Sequence, residues 1–514
     1  HAPIIHKTRF IFVKDKEDLF QLIKALSKTE KRYFTLDAQK VGRKKSKYME
    51  LFQAINDQDD YNDTVLRERF GASLPSDKAY LYKAILRSMR DYHSAGSLSA
   101  RIKENLLDAR FLYERGLVEQ SERRLEEAEL MAQELGDSLS LLEINIQQRH
   151  LTKSLRRKAY PDELKSLIRK KNDHIKSLQL ELGYLDTADE LFVDILQHFQ
   201  LNSSEDRNAL RMRMAPLVQS PPDTDSPKAY WRYLLCMAMY HQLLGEFEEV
   251  FHYYSRVVDW WDERPTNKKE DFYLYIIDVS NLLHAYSVRE EYERIPAVLD
   301  RLEREEPDTL HARSLLFQKS AVYRLMYFIN MGVSEGVDCF VDEMELGLDK
   351  YEIKAGTRNA LIVNVSILLF VQGRFKACVN WAQKLIRDKS GARADIRTGA
   401  WILQLMAVLG IGDVDLTESV LRASARYLAK TGTDKQNSFE YAMLNFAKKV
   451  AQASPSEEKK LLVEWRTYIT DLRAGGSGKV SMGLDELALY WINSRLEKSP
   501  IFLQIRQHRV KKRL

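Results

Sequence analysis

The amino-acid sequence predicts an all-α protein, an α-solenoid of antiparallel helix pairs with a period of about 40 residues and an N-terminal helical subdomain. Three observations predict it. A helix-turn-helix joint recurs at Gly245, Glu290, Gly332, Gly373 and Gly412, at intervals of 45, 42, 41 and 39 residues. Only 12 prolines and 21 glycines occur, and positions 308 to 454 hold no proline, which suits long helices and leaves few turns for a β fold. A chain of 514 residues is also too long for one compact core, so it splits into domains or extends as a stack of repeats that touch their neighbours.

Residues 1 to 93 stand outside the ladder. Ser27-Lys28-Thr29-Glu30 has the form of a capping box, in which the serine and the glutamate satisfy each other's amides, so a helix is expected through Tyr33, Phe34 and Leu36. Residues 47–55, 63–70 and 77–92 read as three further helices, the last two separated by the turn-forming segment 71–76. A short helix, a turn and a longer helix is the outline of a DNA-binding helix-turn-helix, and the longer helix carries Lys78, Lys83, Arg87 and Arg90. The run Arg43-Lys44-Lys45-Ser46-Lys47 adds positive charge. An α-hairpin that caps a solenoid has the same outline.

Residues 94 to 219 hold the first helical pairs. An acidic stretch at 119–137 is followed by Lys153, Arg156, Arg157, Lys158, Lys165, Arg169, Lys170, Lys171 and Lys176. That basic stretch reads either as a phosphate-neutralising stripe or, more simply, as a solvated face offset by its acidic neighbour. Residues 220–227, rich in proline and small polar side chains, continue neither flanking helix and form a linker. Residues 228 to 450 form the main array, which opens on a dense aromatic segment from Tyr230 to Trp261 that reads chiefly as core. Because Trp260 and Trp261 are adjacent, they point about 100° apart on a helix, and one of them is expected to face outward. Residues 451 to 514 supply capping helices at 456–472 and 484–497, then a basic end from Arg506 to Arg513 that is expected to fray.

The joints have a common grammar. At Leu243-Leu244-Gly245-Glu246-Phe247 an apolar helix ends on a glycine able to take positive φ, and an aromatic two residues later opens the next helix. The same order returns at Val371-Gln372-Gly373-Arg374-Phe375 and at Glu114-Arg115-Gly116-Leu117-Val118. Small or modest residues stand where the two helices would touch: Ala238, Ser366 and Ala109 on the first helix, with Val250, Cys378 and Ser121, then Val257, Leu385 and Ala128, on the second. On these residues the joint resembles the tetratricopeptide repeat over roughly residues 96 to 430, with each helix longer by about one turn than in that 34-residue repeat. The chain is also similar in general look to uncharacterised bacterial helical-repeat proteins.

The resemblance implies a groove lined by the first helices of successive repeats. In that family an asparagine at the sixth repeat position often bonds the backbone or terminal carboxylate of a bound peptide. Asn281 and Asn364 match this position, with His284 one turn after the former and Arg232, Gln242 and Lys319 on the same face. Cys236, Tyr323 and Leu107 occupy the matching positions elsewhere, which leaves the clamp incomplete.

With 45% hydrophobic and 30% charged residues, the composition is that of amphipathic helices, and the net charge of +5 falls short of a dedicated nucleic-acid binder's. No stretch of 18 or more apolar residues is present to cross a membrane. Cys236, Cys339 and Cys378 lie far apart in apolar helical stretches and read as buried free thiols, which favours a reducing, cytoplasmic setting. The residues after His1 lack the pattern of a signal peptide.

Gly475-Gly476-Ser477-Gly478-Lys479 has the look of a phosphate loop, but Arg473 stands at the first glycine position and Val480 replaces the magnesium-binding hydroxyl. Neither an H-E-x-x-H pair nor a G-x-S-x-G elbow occurs, and His241 and His252 read as packed side chains. No catalytic residue, cofactor or metal is therefore expected. The expected function is a non-catalytic protein-protein interaction scaffold that holds a peptide or protein in its concave groove, with no membrane partner. The alternative is a nucleic-acid-binding regulator with an N-terminal helix-turn-helix and a helical-repeat sensor. An open basic face at Lys78, Lys83, Arg87 and Arg90 separates the second from the first.

Overall fold

A computed structural model of the chain describes residues 17–40, 47–94, 96–155, 159–222, 226–304, 306–387, 393–430, 438–474 and 480–513. The fold is all-α, 87% helical, with no strand among the described residues. The chain forms two compact units, His1–Gly183 with Asp223–Ala229, and Tyr184–Pro222 with Tyr230–Leu514.

The first unit contains α1 (Asp18–Ala25), α2 (Lys28–Lys40), α3 (Lys47–Asn56), α4 (Asp63–Phe70), α5 (Leu74–Ser94), α6 (Leu98–Glu114), α7 (Val118–Leu135), α8 (Ser138–Leu155) and the start of α9 (Tyr160–His198). The capping box forms as expected: the Ser27 amide donates to Glu30 Oε2 at 2.7 Å and the Glu30 amide to Ser27 Oγ at 3.2 Å. Leu19, Ile23, Phe34, Leu51, Ile55, Leu66, Leu81 and Ile85 interlock as the core of α1 to α5. The turn before α5 is tighter than expected, a 3-10 turn over Gly71–Ser73 followed directly by helix. A second core joins α6, α7 and α8 through Ile102, Leu106, Leu125, Ala128 and Ile144. There Ser121 Oγ donates to the Ala109 carbonyl at 2.7 Å, so two of the small positions meet.

The second unit continues α9 and adds α10 (Ser204–Gln219), α11 (Pro227–Leu244, from Tyr230 onward), α12 (Phe247–Asp262), α13 (Pro265–Glu270), α14 (Phe272–Val288), α15 (Ile295–Glu303) and α16 (Leu310–Met331). It goes on through α17 (Val337–Lys350), α18 (Ala355–Val371), α19 (Phe375–Arg387), α20 (Ala394–Ile411), α21 (Val414–Lys430) and α22 (Phe439–Gln452). It closes with α23 (Pro455–Ala474), α24 (Leu484–Glu497) and α25 (Ile501–Arg513). From α12 onward most helices pack on their sequence neighbours, and α14, α16, α18, α20 and α22 also pack each on the next in that series.

All six joint residues, Gly116, Gly245, Glu290, Gly332, Gly373 and Gly412, have positive φ. At Gly245 the amides of Gly245 and Glu246 donate to the Gln242 and His241 carbonyls, and the same pair of bonds recurs at Gly116, Glu290 and Gly373. This is the double bond pattern of a left-handed C-cap, which satisfies the last carbonyls of one helix while reversing the chain.

Three expectations need correction. Trp260 and Trp261 are both buried, 3% and 1% exposed, because α12 is covered on two sides: Trp260 stacks on Trp231, while Trp261 turns toward α14. Cys339 is exposed, in contrast to Cys236 and Cys378. The basic end is helix α25, with Ile501 and Ile505 buried. In addition, α20 is long and apolar enough by composition to cross a membrane, but it is mostly buried, packed among α18, α19, α21 and α22. The glycine-rich segment 475–479 and the basic residues 43–46 and 156–158 lie outside the described residues.

Candidate functional site

Helix α14 is almost wholly apolar before its middle, where Asp278 interrupts the run Phe272-Tyr273-Leu274-Tyr275-Ile276-Ile277. That carboxylate is 3% exposed, and its Oδ2 accepts from the indole N–H groups of Trp231 at 2.8 Å and Trp261 at 2.7 Å. Burial pushes the Asp278 carboxyl up to about 6, against the pull of the two indole donors and the nearby Arg232 charge. Arg232 lies over the Trp231 ring, 4.3 Å from its centre. One carboxylate thus ties α11 and α12 to α14. On the other side the Tyr323 hydroxyl donates to the Ser280 carbonyl at 2.9 Å and ties α16 to α14.

With α14 and α16 fixed in this way, two of the sequence-predicted residues, His284 and Lys319, come within electrostatic range of each other. Asn281 and His284 lie one turn apart on α14, and Lys319 stands on α16 close enough that its charge disfavours protonation of His284. Burial is the first cause of the lowered His284 value and Lys319 the second, although the ring still has an exposed side. Burial alone lowers Lys319, which is half-buried. Neither side chain makes an ion pair or a hydrogen bond among the described residues. The Phe199 ring, from the turn that ends α9, meets His284 edge to face at 6.3 Å. The charge of this patch is that of Lys319, partly dehydrated and without an ion-pair partner among the described residues, which suits it to accept a carboxylate.

The other three predicted groove residues lie elsewhere in the packing. The Asn364 side-chain amide donates to the Ala360 carbonyl of its own helix at 2.8 Å. Gln242 is buried, 7% exposed, near the end of α11. Arg232 is committed to the Trp231 face beside Asp278.

In the first unit the four basic residues of α5 divide into one and three. Lys78 pairs with Asp63 at 2.6 Å, bonds the Tyr61 hydroxyl and covers the Tyr61 ring, so it fastens α5 to the start of α4. The Lys78 ammonium holds the Asp63 carboxyl well below the usual carboxylate range. Lys83, Arg87 and Arg90 are exposed, and their spacing of four and three residues places them along one side of the helix.

Sequence reasoning passed over Asp278 and Phe199, and it read the arginines of α25 only as part of a fraying basic end. The signal for Asp278 is a lone carboxylate inside an apolar helix, a pattern that calls for buried donors. Phe199 had no comparable signal, since its place depends on the turn that gives it positive φ. Among the described residues, no group of three or more His, Cys, Asp or Glu side chains is placed to hold a metal ion. No family model, curated protein or solved structure matches the chain.

Proposed function

We propose that this chain is a non-catalytic helical-repeat scaffold, tetratricopeptide-like in its joints, that binds a protein or peptide through a carboxylate held by Asn281, His284 and Lys319. The observation that carries the reading is the pairing of His284 with Lys319: burial disfavours the charged form of both, the Lys319 charge further disfavours protonation of His284, and neither has an ion-pair or hydrogen-bond partner among the described residues. A bound carboxylate relieves both effects. Asn281, half-buried on the same face, supplies an amide donor, and Phe199 supplies an apolar wall for the residue next to the carboxylate. The recurring positive-φ joints and the successive packing of α14, α16, α18 and α20 support a repeat array as the frame.

The test is fluorescence anisotropy with labelled peptides that end in a free carboxylate, each matched to its C-terminal amide. A carboxylate preference that disappears in Lys319→Ala supports the reading. Equal binding of acid and amide peptides, or a preference untouched by Lys319→Ala, rules it out.

The exposed stripe Lys83, Arg87 and Arg90 favours a second reading, nucleic-acid binding by the first unit. Affinity capture from lysate with and without nuclease, at two salt concentrations, separates the two: proteins that persist after nuclease favour the scaffold, and nucleic acid lost with rising salt favours the stripe.

A further inference from the structure

Helix α25 rests on the turn end of its neighbours in an unusual way. It packs on α16 and α24, with Ile501 and Ile505 one turn apart and Gln504 beside them as its buried side chains. Beside them, two arginines three residues apart reach two successive joints. Arg506 donates to the Gly332 carbonyl at 3.1 Å, and Arg509 donates to the Glu290 carbonyl while covering the Tyr292 ring at 4.5 Å from its centre. Gly332 and Glu290 are the left-handed residues that end α16 and α14, so both guanidinium groups sit at the negative ends of helix dipoles. The Phe502 carbonyl fills the space where a side chain on Gly332 would stand, since a Cβ there would lie 2.2 Å from it.

The seat therefore reads backbone as much as side chains. It has two helix-end carbonyls spaced by one repeat, an aromatic face at Tyr292, a glycine notch, and apolar groups Ile329 and Ile367. Its occupant is not close-packed. Along one flank of α25 lies a half-open pocket of about 760 Å³, bordered by Glu290, Arg473, Glu486 and His508. The Arg509 Nε is buried there without a hydrogen-bond partner. The link back to α24 is the short turn at Lys498, a non-glycine residue held at φ 52°. A helix with three buried side chains, an open pocket along one flank and a strained tether is held less firmly than the core elements beneath it.

We infer that the ends of α14, α16 and α18 form a docking seat for a basic amphipathic helix, that α25 is its resident occupant, and that a partner helix binds there by displacing α25. The matching partner carries the pattern found here, two aliphatic residues four apart followed by arginines at the next position and three beyond, as in Ile501, Ile505, Arg506 and Arg509. This inference does not depend on carboxylate binding at Lys319.

The experiment uses the full chain and a fluorescent peptide that copies residues 499–513. The peptide is expected to bind the Arg506→Ala/Arg509→Ala protein at least tenfold more tightly than the unmodified protein, because the resident helix no longer competes. A peptide carrying the same two substitutions, or a scrambled peptide of equal charge, is expected to bind at least tenfold more weakly. Equal affinity of the two proteins, no binding to either, or equal binding of the scrambled peptide overturns the inference. Hydrogen exchange of the unmodified chain gives a readout that needs no variant. Amides of α25 are expected to exchange at least tenfold faster than those of α24, and equal protection overturns the inference.

Discussion

Trp261 donates its indole hydrogen to Asp278 across 2.7 Å, from α12 to α14, and Trp231 of α11 donates to the same oxygen at 2.8 Å. A buried carboxylate that accepts from two neutral indoles, with no direct ion pair, keeps much of its desolvation cost. Its pKa of about 6 lies above the ordinary 3.8, so between those values the folded chain holds a proton that the unfolded chain has released. The stability due to this group therefore falls as pH rises from about 4 to about 6 and is flat above that range. Urea unfolding of the unmodified chain and Asp278→Asn across pH 4 to 7 is expected to give a difference curve of that sign. The difference is needed because carboxylates held low, such as Glu129 and Asp262, contribute with the opposite slope.

Asp278→Ala leaves two buried indole N–H groups without an acceptor. Each unsatisfied donor costs about 1–3 kcal/mol, so a loss of about 3 kcal/mol or more is expected in the same unfolding measurement, with a smaller loss for Asp278→Asn, whose oxygen still accepts.

Binding of a carboxylate peptide at Lys319 and His284 is expected to tighten as pH falls from 7 toward 5. The free His284 has its protonation suppressed, and the bound carboxylate restores it, so binding takes up a proton. The effect ends near pH 4, where the peptide carboxylate is itself protonated at about that value. Calorimetry in two buffers of different ionisation enthalpy reads the proton directly. His284→Ala is expected to remove the uptake, and Lys319→Ala to weaken binding about tenfold, a loss of about 1.4 kcal/mol.

Gly332→Ala and Gly373→Ala make a matched pair. Both positions have positive φ, 60° and 71°, so both substitutions carry backbone strain of about 1–2 kcal/mol. Only at Gly332 does the added Cβ meet another chain segment, the Phe502 carbonyl. Urea denaturation is expected to show the larger loss at Gly332, and limited proteolysis to show new cleavage between α24 and α25 in that variant alone.

Lys78→Ala and Arg87→Ala test the first unit in opposite ways. Removing Lys78 strips Asp63 of its principal partner and is expected to lower thermal stability without altering any salt-dependent binding. Removing Arg87 is expected to leave stability within about 0.5 kcal/mol. If the stripe contacts phosphates, that variant also reduces the slope of affinity against salt by about 1, as followed by filter binding at several ionic strengths.

Local features of this chain were legible because their causes are local. The capping box at Ser27 and Glu30 requires only residues three apart, and the positive φ at the joints follows from glycine placed after an apolar helix. Glu290 follows the ladder without being glycine; its place was readable from spacing, and the guanidinium of Arg509 on its carbonyl is a contact between residues 219 positions apart. The helix at Leu484–Glu497 likewise has the bounds that its own turn residues dictate.

What the sequence by itself determined is thus the all-α class, the left-handed joints and the bounds of several helices, all of which rest on hydrogen bonds and torsions spanning a few residues. Tertiary structure alone decided which polar side chains are free to act. Asn364 turned back to its own helix and Asn281 did not, Lys78 became a fastener while Arg87 stayed outside, and both tryptophans at 260 and 261 went inside because α12 has a neighbour on each flank. Periodicity reports which side of a helix is apolar, but burial depends on how many helices surround it, and that number is set by segments tens to hundreds of residues away.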